Sequence, residues 1–365
     1  MIPIPSHIQT LKAYKPGKPQ ADLFDGKESE STAILCSNEN NFGPSPKAIE
    51  AIRANLGNLH LYPDPTGSAL REKLSKKLNV PINQILLSNG SDGILYTLFK
   101  AFCQQGESLL TSASTFVSTA VMAKMHNIEC VEIPMLQGYR FDLDGILAAI
   151  KSNTRIIYLC SPNNPTGAMI TRAELDRFLP QVPDHILVVV DEAYFEFAQS
   201  LSDEDFVDAS RYAQDNLLVL RTFSKAYGLA GIRLGYGIGA TYLIEALTKV
   251  KLTFNPNYLA QVAGIGALED DEFLSKTLAN NKEQIQRFYA LFTDLGIVYV
   301  PSYGNFVMID LLSEAAVEQM YEQLKTRGIL IRRLASFGLP HCARVSVGTP
   351  ADNDYYIQVM RELYS

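Results

Sequence analysis

The chain has 365 residues, 47% of them hydrophobic and 19% charged, with a formal net charge of −7. This composition supports a large core with a smaller companion, and an acidic balance without long Lys/Arg runs argues against nucleic acid or an anionic membrane as partner. Five dispersed cysteines without a C-x-x-C pair, and five histidines without ligand spacing, point to neither a disulfide framework nor a metal site.

The start carries no apolar leader, and the apolar run at 186–190 is far too short to span a bilayer. The expectation is a soluble cytoplasmic protein acting on small molecules. Residues 1–35 read as an arm, with the turn-like Tyr14-Lys-Pro-Gly-Lys-Pro19 and a short strand at 33–36. Residues 37–46 are rich in turn formers and end where Ser45-Pro46 caps a helix running to about 56. Another rigid turn, 62–67, precedes a helix at 68–78. Both loops are candidate pocket walls.

A brief strand at 85–87 runs into Ser88-Asn-Gly-Ser-Asp-Gly93 and an apolar-periodic helix at 94–103. Glycine permits a close turn there, and the free N–H groups of the helix start attract an anion. The alternative is an ordinary helix start with Ser91 or Asp92 as N-cap. Strands at 109–110 and 129–133, separated by a helix to about 126, indicate a parallel sheet with right-handed crossovers.

The strand at 155–160 ends in Ser161-Pro-Asn-Asn-Pro-Thr-Gly167, where the Asn164 amide could donate to a phenolic oxygen or simply build a turn. The strand at 186–190 is buried by composition and ends in Asp191-Glu-Ala-Tyr194. An aspartate there occupies the ligand position of open α/β sheets, or caps the next helix. The strand at 217–220 then opens into a glycine-punctuated stretch carrying Lys225 and Arg233. A lysine at the end of a buried strand loses hydration, so its amine is freed to condense with an aldehyde. Thr222, Ser224 and Arg233 are donors suited to a phosphate ester, and a lysine beside a phosphate site suggests pyridoxal phosphate. Gly235, Gly237 and Gly239 lie within a strand-like segment, which excludes the dinucleotide-binding reading.

Residues 242–293 are helix-rich, and beyond them strands at 296–301, 305–311 and 343–348 alternate with helices at 314–327 and 352–364. The expected class is α/β, with a large, mostly parallel sheet flanked by helices plus a smaller α+β domain. The expected divisions are an arm at 1–35, a large domain at 36–260, and a linking helix with the small domain at 261–365. Arg332, Arg333 and Arg344 stand out in the small domain; Arg344 alternates with Val345 and Val347, so its guanidinium can hold a carboxylate or phosphate, while Arg333 reads as solvent-facing charge.

Ser161-Pro-Asn-Asn-Pro-Thr-Gly167, Asp191-Glu-Ala-Tyr194, Arg221-Thr-Phe-Ser-Lys-Ala-Tyr-Gly-Leu-Ala-Gly-Ile-Arg-Leu-Gly235 and Arg344-Val-Ser-Val-Gly-Thr349 together resemble the fold-type I pyridoxal-phosphate aminotransferases. Leu11-Lys-Ala-Tyr-Lys-Pro-Gly17 and Ser37-Asn-Glu-Asn-Asn-Phe-Gly-Pro-Ser-Pro46 are similar to the opening of the histidinol-phosphate aminotransferase family. The resemblance covers nearly the whole chain. It implies a pyridoxal 5′-phosphate enzyme that transfers the amino group of histidinol phosphate to 2-oxoglutarate. Aromatic amino-acid transamination, decarboxylation of a phosphorylated amino acid, and cofactor binding without turnover are the alternatives.

The same resemblance implies that Lys225 binds the cofactor and then moves the proton, and that Asp191 pairs with the ring nitrogen. Asn164 and Tyr194 would bond the phenolic oxygen, and Phe116 would stack on the ring. Ser91, Thr222, Ser224 and Arg233 would line the phosphate end, with Asp92 organising the helix start. Tyr62 would reach the phosphate of a neighbouring subunit in a homodimer with shared sites, while Tyr14, Arg332 and Arg344 would meet the substrate. Asn41, Gly93 and Thr119 depart from that family's pattern.

Overall fold

The computed structural model describes residues 2–11, 32–202 and 205–364. The strands are β1 (Ala33–Leu35), β2 (Ile85–Ser88), β3 (Ser108–Ser112), β4 (Glu129–Ile133), β5 (Thr154–Cys160) and β6 (Leu187–Asp191). They continue as β7 (Leu217–Thr222), β8 (Gly235–Gly239), β9 (Val298–Val300), β10 (Phe306–Asp310), β11 (Ile329–Arg333) and β12 (Cys342–Ser346). Seven form one sheet in the order β2-β8-β7-β6-β5-β3-β4, and five form another in the order β1-β11-β12-β10-β9.

The large sheet is parallel from β4 through β7, and only β8 runs against its neighbours β7 and β2. Every residue of β6 and β7 is buried, as continuous apolar runs in the middle of a sheet covered on both faces require. Apart from Asp191 and Thr222 at the strand ends, the exception to the apolar pattern is Arg221 in β7. Its guanidinium donates to Glu192 Oε2 at 2.9 Å and to Asp208 Oδ1 at 2.6 Å, and lies 3.3 Å from the Phe195 ring centre. The buried charge is therefore matched by two carboxylates, the condition under which proteins tolerate one.

The second sheet has its own apolar cluster, built from Phe288, Phe292, Val307, Ile309, Ile331 and Val345 among others. β1 joins this sheet through parallel pairing with β11, from Ala33–Ile329 to Leu35–Ile331. β11 itself was not anticipated, since Ile-Leu-Ile-Arg-Arg reads more readily as a charged end than as a strand. The helix Asp271–Asp294 packs on the short helix Phe195–Leu201 at one end and against β9 and β10 at the other.

The expected helices at 46–56 and 68–78 appear as Pro46–Asn55, capped by the Ser45 side chain on Ala48 N–H, and Ser68–Leu78. One helix start is corrected. The helix expected at 94–103 begins four residues earlier, spanning Gly90–Phe102, with Asn89 as N-cap and no side chain capping it. Ser91 and Asp92 thus sit inside the first turn and neither is the cap.

Candidate active site

The chain turns of the large sheet converge at the carboxyl ends of its parallel strands, where open α/β sheets hold ligands. Asn164 lies beyond β5, Asp191 closes β6, Ser224 and Lys225 lie just past β7, Phe116 lies past β3, and the uncapped helix start at Gly90 lies past β2. All line one cavity of about 530 Å³, including the part open to solvent. Ser91, Asp92, Tyr194, Thr222 and Arg233 also belong to its wall.

At one end, the first turn of the helix Gly90–Phe102 presents N–H groups that no side chain caps. Gly90 adopts φ +73°, and a Cβ there would lie 2.9 Å from Arg233 Nη2, so glycine lets the backbone and the guanidinium share this corner. Arg233 donates to Ala230 O at 3.0 Å and reaches Ser224 Oγ at 3.4 Å, while Thr222 Oγ1 donates to Ser224 Oγ at 3.0 Å. Its guanidinium stands 3.7 Å from Asp92 Oδ2. Burial raises the Asp92 carboxyl, with Arg233 and Lys225 opposing, and its Oδ1 has no partner. A helix start, two hydroxyls and an arginine are donors that could hold an anion such as a phosphate.

Opposite, Asp191 is buried and accepts from Tyr158 Oη at 2.9 Å through Oδ2 and from Ala193 N–H at 3.1 Å through Oδ1. Burial dominates and pushes its carboxyl up to about 7, against the lowering effect of the Tyr158 bond. A cation placed against it would restore its charge, as a protonated pyridine nitrogen does. Tyr158, fully buried in β5, carries no signal in the sequence because its surroundings read as strand core.

Between these ends, the Lys225 amine donates to Ser37 O at 3.2 Å. Burial, followed by the Arg344 cation, draws it down to about 8. The side chain is half-exposed because the cavity opens onto it. Tyr194 is buried, and burial pushes its phenol up to about 12. Arg344 is buried as well, donating to Asn164 Oδ1 through Nη1 and to Cys36 O at 2.9 Å through Nη2. Its Nε has no partner, and burial draws the guanidinium down to about 10.

A family model described as aminotransferase class I and II matches residues 32–360. The chain belongs to the class I and II aminotransferases. A histidinol-phosphate aminotransferase of Akkermansia muciniphila is 37% identical over 360 residues, covering 98% of this aminotransferase and 97% of the relative. One of Bdellovibrio bacteriovorus is 39% identical over 368 residues, with 99% and 98% covered. Among solved structures, the histidinol-phosphate aminotransferase of Sinorhizobium meliloti in complex with pyridoxal-5′-phosphate superposes with a TM-score of 0.88 at 29% identity, covering 99% of this chain and 98% of that one.

Other expected site residues of this aminotransferase lie elsewhere. Tyr62 is 81% exposed and stacks on Phe254, ring centres 4.3 Å apart, outside the cavity of its own chain. Arg332 faces Arg344 across the β11–β12 pairing. Arg333, expected as solvent-facing charge and not as a site residue, pairs with Glu318 on the surface and covers the Tyr321 ring at 4.2 Å. Tyr14 lies outside the described residues.

The three departures have local reasons. Asn41 donates to Asp352 Oδ2 at 3.0 Å and to Ile34 O at 3.3 Å. A Cβ at Gly93 would meet Ser88 Oγ at 2.4 Å, so an acidic residue there requires the buried Ser88 hydroxyl to turn away. Thr119 is buried in the helix Val117–Met125, where nothing explains its preference over an aromatic. A mixed donor cluster, Asp310, His341 and Cys342, has no spacing signal in the sequence. The Tyr139 hydroxyl stands among them, donating to Asp310 Oδ2 at 2.6 Å and 3.1 Å from His341 Nε2, so these groups are spent on one another.

Proposed function

We propose that this aminotransferase transfers the amino group of histidinol phosphate to 2-oxoglutarate, giving imidazole acetol phosphate and glutamate, with pyridoxal 5′-phosphate as cofactor. One observation carries the reading: an anion cradle, a lysine of depressed basicity and a buried carboxylate line the same cavity. Their chemistry fits the three ends of pyridoxal phosphate, namely phosphate, aldehyde and ring nitrogen. When bound, the cofactor supplies an aldehyde for the substrate amine and a ring that accepts the electron pair left at the substrate Cα.

In this reading Ser91, Thr222, Ser224 and Arg233 hold the phosphate, and Asp92 keeps Arg233 in place. Asp191, held by Tyr158, faces the ring nitrogen and keeps it protonated. Phe116 covers the ring face. Asn164 and Tyr194 bond the phenolic oxygen; the Arg344 contact turns the Asn164 carbonyl away and leaves its amide nitrogen for this task. Lys225 anchors the cofactor through its amine, then removes the proton from the substrate Cα as general base. Arg344, with its unpartnered Nε, and Arg332 bind the substrate's phosphate in one half-reaction and a carboxylate in the other. Tyr14 closes over that end.

The active unit in this reading is a homodimer. Tyr62 and Phe254 stack beside the exposed Leu59, Leu61 and Leu252, an apolar patch suited to a second copy, whose cavity Tyr62 would enter. The enzyme is taken as cytoplasmic, a location that five free cysteines favour.

Steady-state kinetics with 2-oxoglutarate and each donor test the assignment. Histidinol phosphate should exceed phenylalanine in kcat/KM by at least about 10²-fold, since charged recognition discriminates strongly. Equal or better turnover of phenylalanine would reassign the enzyme to aromatic amino acids. Release of carbon dioxide would make it a decarboxylase, and a bound cofactor without turnover would make it a binding protein.

A further inference from the structure

Asn38, in the loop after β1, belongs to none of the cofactor-contacting groups above, yet it is 1% exposed and tied to both sheets. Its φ of +55° lies in the left-handed region, which asparagine tolerates better than most residues. Asn305 Nδ2 donates to its carbonyl at 3.2 Å. Its own N–H donates to Ser346 Oγ at 2.9 Å, Ser346 Oγ donates to its Oδ1 at 2.8 Å, and its Nδ2 donates to Tyr194 Oη at 2.8 Å.

These contacts have a direction. A backbone N–H can only donate, so Ser346 Oγ accepts there and has one hydrogen left to give. Asn38 Oδ1 takes it, which turns the amide nitrogen toward Tyr194. An amide nitrogen cannot accept, so the phenol oxygen accepts and its own hydrogen points elsewhere. With the amide reversed, the Ser346 hydrogen would have no acceptor at a site only 3% exposed, an arrangement folded proteins avoid. The Tyr194 ring cannot swing aside either, because Phe306 packs edge-on against it with centres 5.1 Å apart.

We propose that Asn38 is a positioning residue that sets the direction of the Tyr194 proton, so that this phenol donates into the cofactor cavity. Ser346 enforces the orientation of Asn38, and the small sheet thereby controls a hydrogen bond in the large one. The inference rests on the pyridoxal-phosphate reading, since the receiving atom is the phenolic oxygen of that cofactor. A hydrogen bond donated there would stabilise negative charge on that oxygen and so would lower the pKa of the chromophore held by Lys225.

Two measurements on the holoenzyme test it. The first is the pH titration of the visible chromophore in Ser346→Ala, Tyr194→Phe and the double variant, with Asn38→Asp as an isosteric replacement of donor by acceptor. Loss of one hydrogen bond to a charged oxygen should raise the chromophore pKa by about 1–2 units in Asn38→Asp and Tyr194→Phe. Ser346→Ala, which introduces no charge, should raise it less, and should have no effect once Tyr194 is phenylalanine. Equal shifts by Ser346→Ala in both backgrounds would overturn the proposal, because Asn38 would then not act through Tyr194.

The second is neutron diffraction of the deuterated protein. The Tyr194 deuteron should point into the cavity and the Asn38 ND₂ group toward Tyr194; a deuteron bonded to Tyr194 Oη and directed at Asn38 Oδ1 would overturn the assignment. Because neutron diffraction reads the orientation even if no chromophore forms, failure of the cofactor reading and failure of this inference give different results.

Discussion

If burial depresses Lys225, its reactivity must track a titration centred near pH 8. The amine is drawn from the ordinary 10.5 to about 8. At pH 7 about one molecule in ten then carries a neutral amine, about 300-fold more than an unperturbed lysine offers. Proton linkage fixes the sign of the effect on stability. Between about 8 and 10.5 the unfolded chain holds this proton and the folded apoprotein does not, so stability rises with pH across that window. Below about 8 both states are protonated and the whole penalty remains; above 10.5 it vanishes. Because the cavity admits water to the half-exposed side chain, the labelling rate is the sharper readout. Acetic anhydride labels neutral amines, and peptide mass spectrometry compares Lys225 with exposed lysines as internal standards. A midpoint near 8 is expected, moving upward in Arg344→Gln as the neighbouring cation is removed. A midpoint near that of an ordinary lysine, unchanged in that variant, would refute the account of the amine.

The geometry yields three further outcomes. Arg221→Met strands the buried carboxylate of Glu192 and the half-buried one of Asp208 and should cost about 3–5 kcal/mol in denaturant unfolding; a loss below about 1 kcal/mol would mean the cluster is solvated. Gly90→Ala places a Cβ against Arg233 Nη2 and should push that guanidinium from the corner, so pyridoxal phosphate should bind about tenfold more weakly by fluorescence titration, as weakening one hydrogen bond of about 1.5–3 kcal/mol to a charged group implies; unchanged affinity would remove this corner from the proposed phosphate site. Mixing the inactive variants Lys225→Ala and Tyr62→Ala should recover about a quarter of wild-type activity, because half the random dimers hold one intact shared site. No recovery under conditions of proven subunit exchange would separate Tyr62 from the neighbour's site.

The residues that line the cavity were legible in the sequence because most of them end or closely follow a strand of obvious type. Leu217–Thr222 and Leu187–Asp191 are uninterrupted, largely apolar runs, and the residues just beyond such a run in a parallel sheet lie at its carboxyl edge. The second sheet was harder to read. Its pairing of Ala33 with Ile329 joins segments remote in sequence, and the alternation in β11 is masked by two arginines. Asn38 and Tyr158 were missed for related reasons: one sits in a run of turn-forming residues, the other in a strand core. Their importance lies in partners such as Ser346 and Asp191, which local sequence does not announce. The helix start was misplaced because glycines at 90 and 93 read as loop, whereas the helix, packed against β7 and β8, takes in both within its first turn.

The central claim is that Lys225 carries the cofactor in the cavity described. Borohydride reduction of the protein with pyridoxal phosphate, with subsequent peptide mapping, tests it most directly. The account predicts one reduced pyridoxyl adduct per chain, on Lys225, lost in Lys225→Ala and diminished when histidinol phosphate is added before the reductant. An adduct on another lysine, or none in a protein that still transaminates, would contradict it.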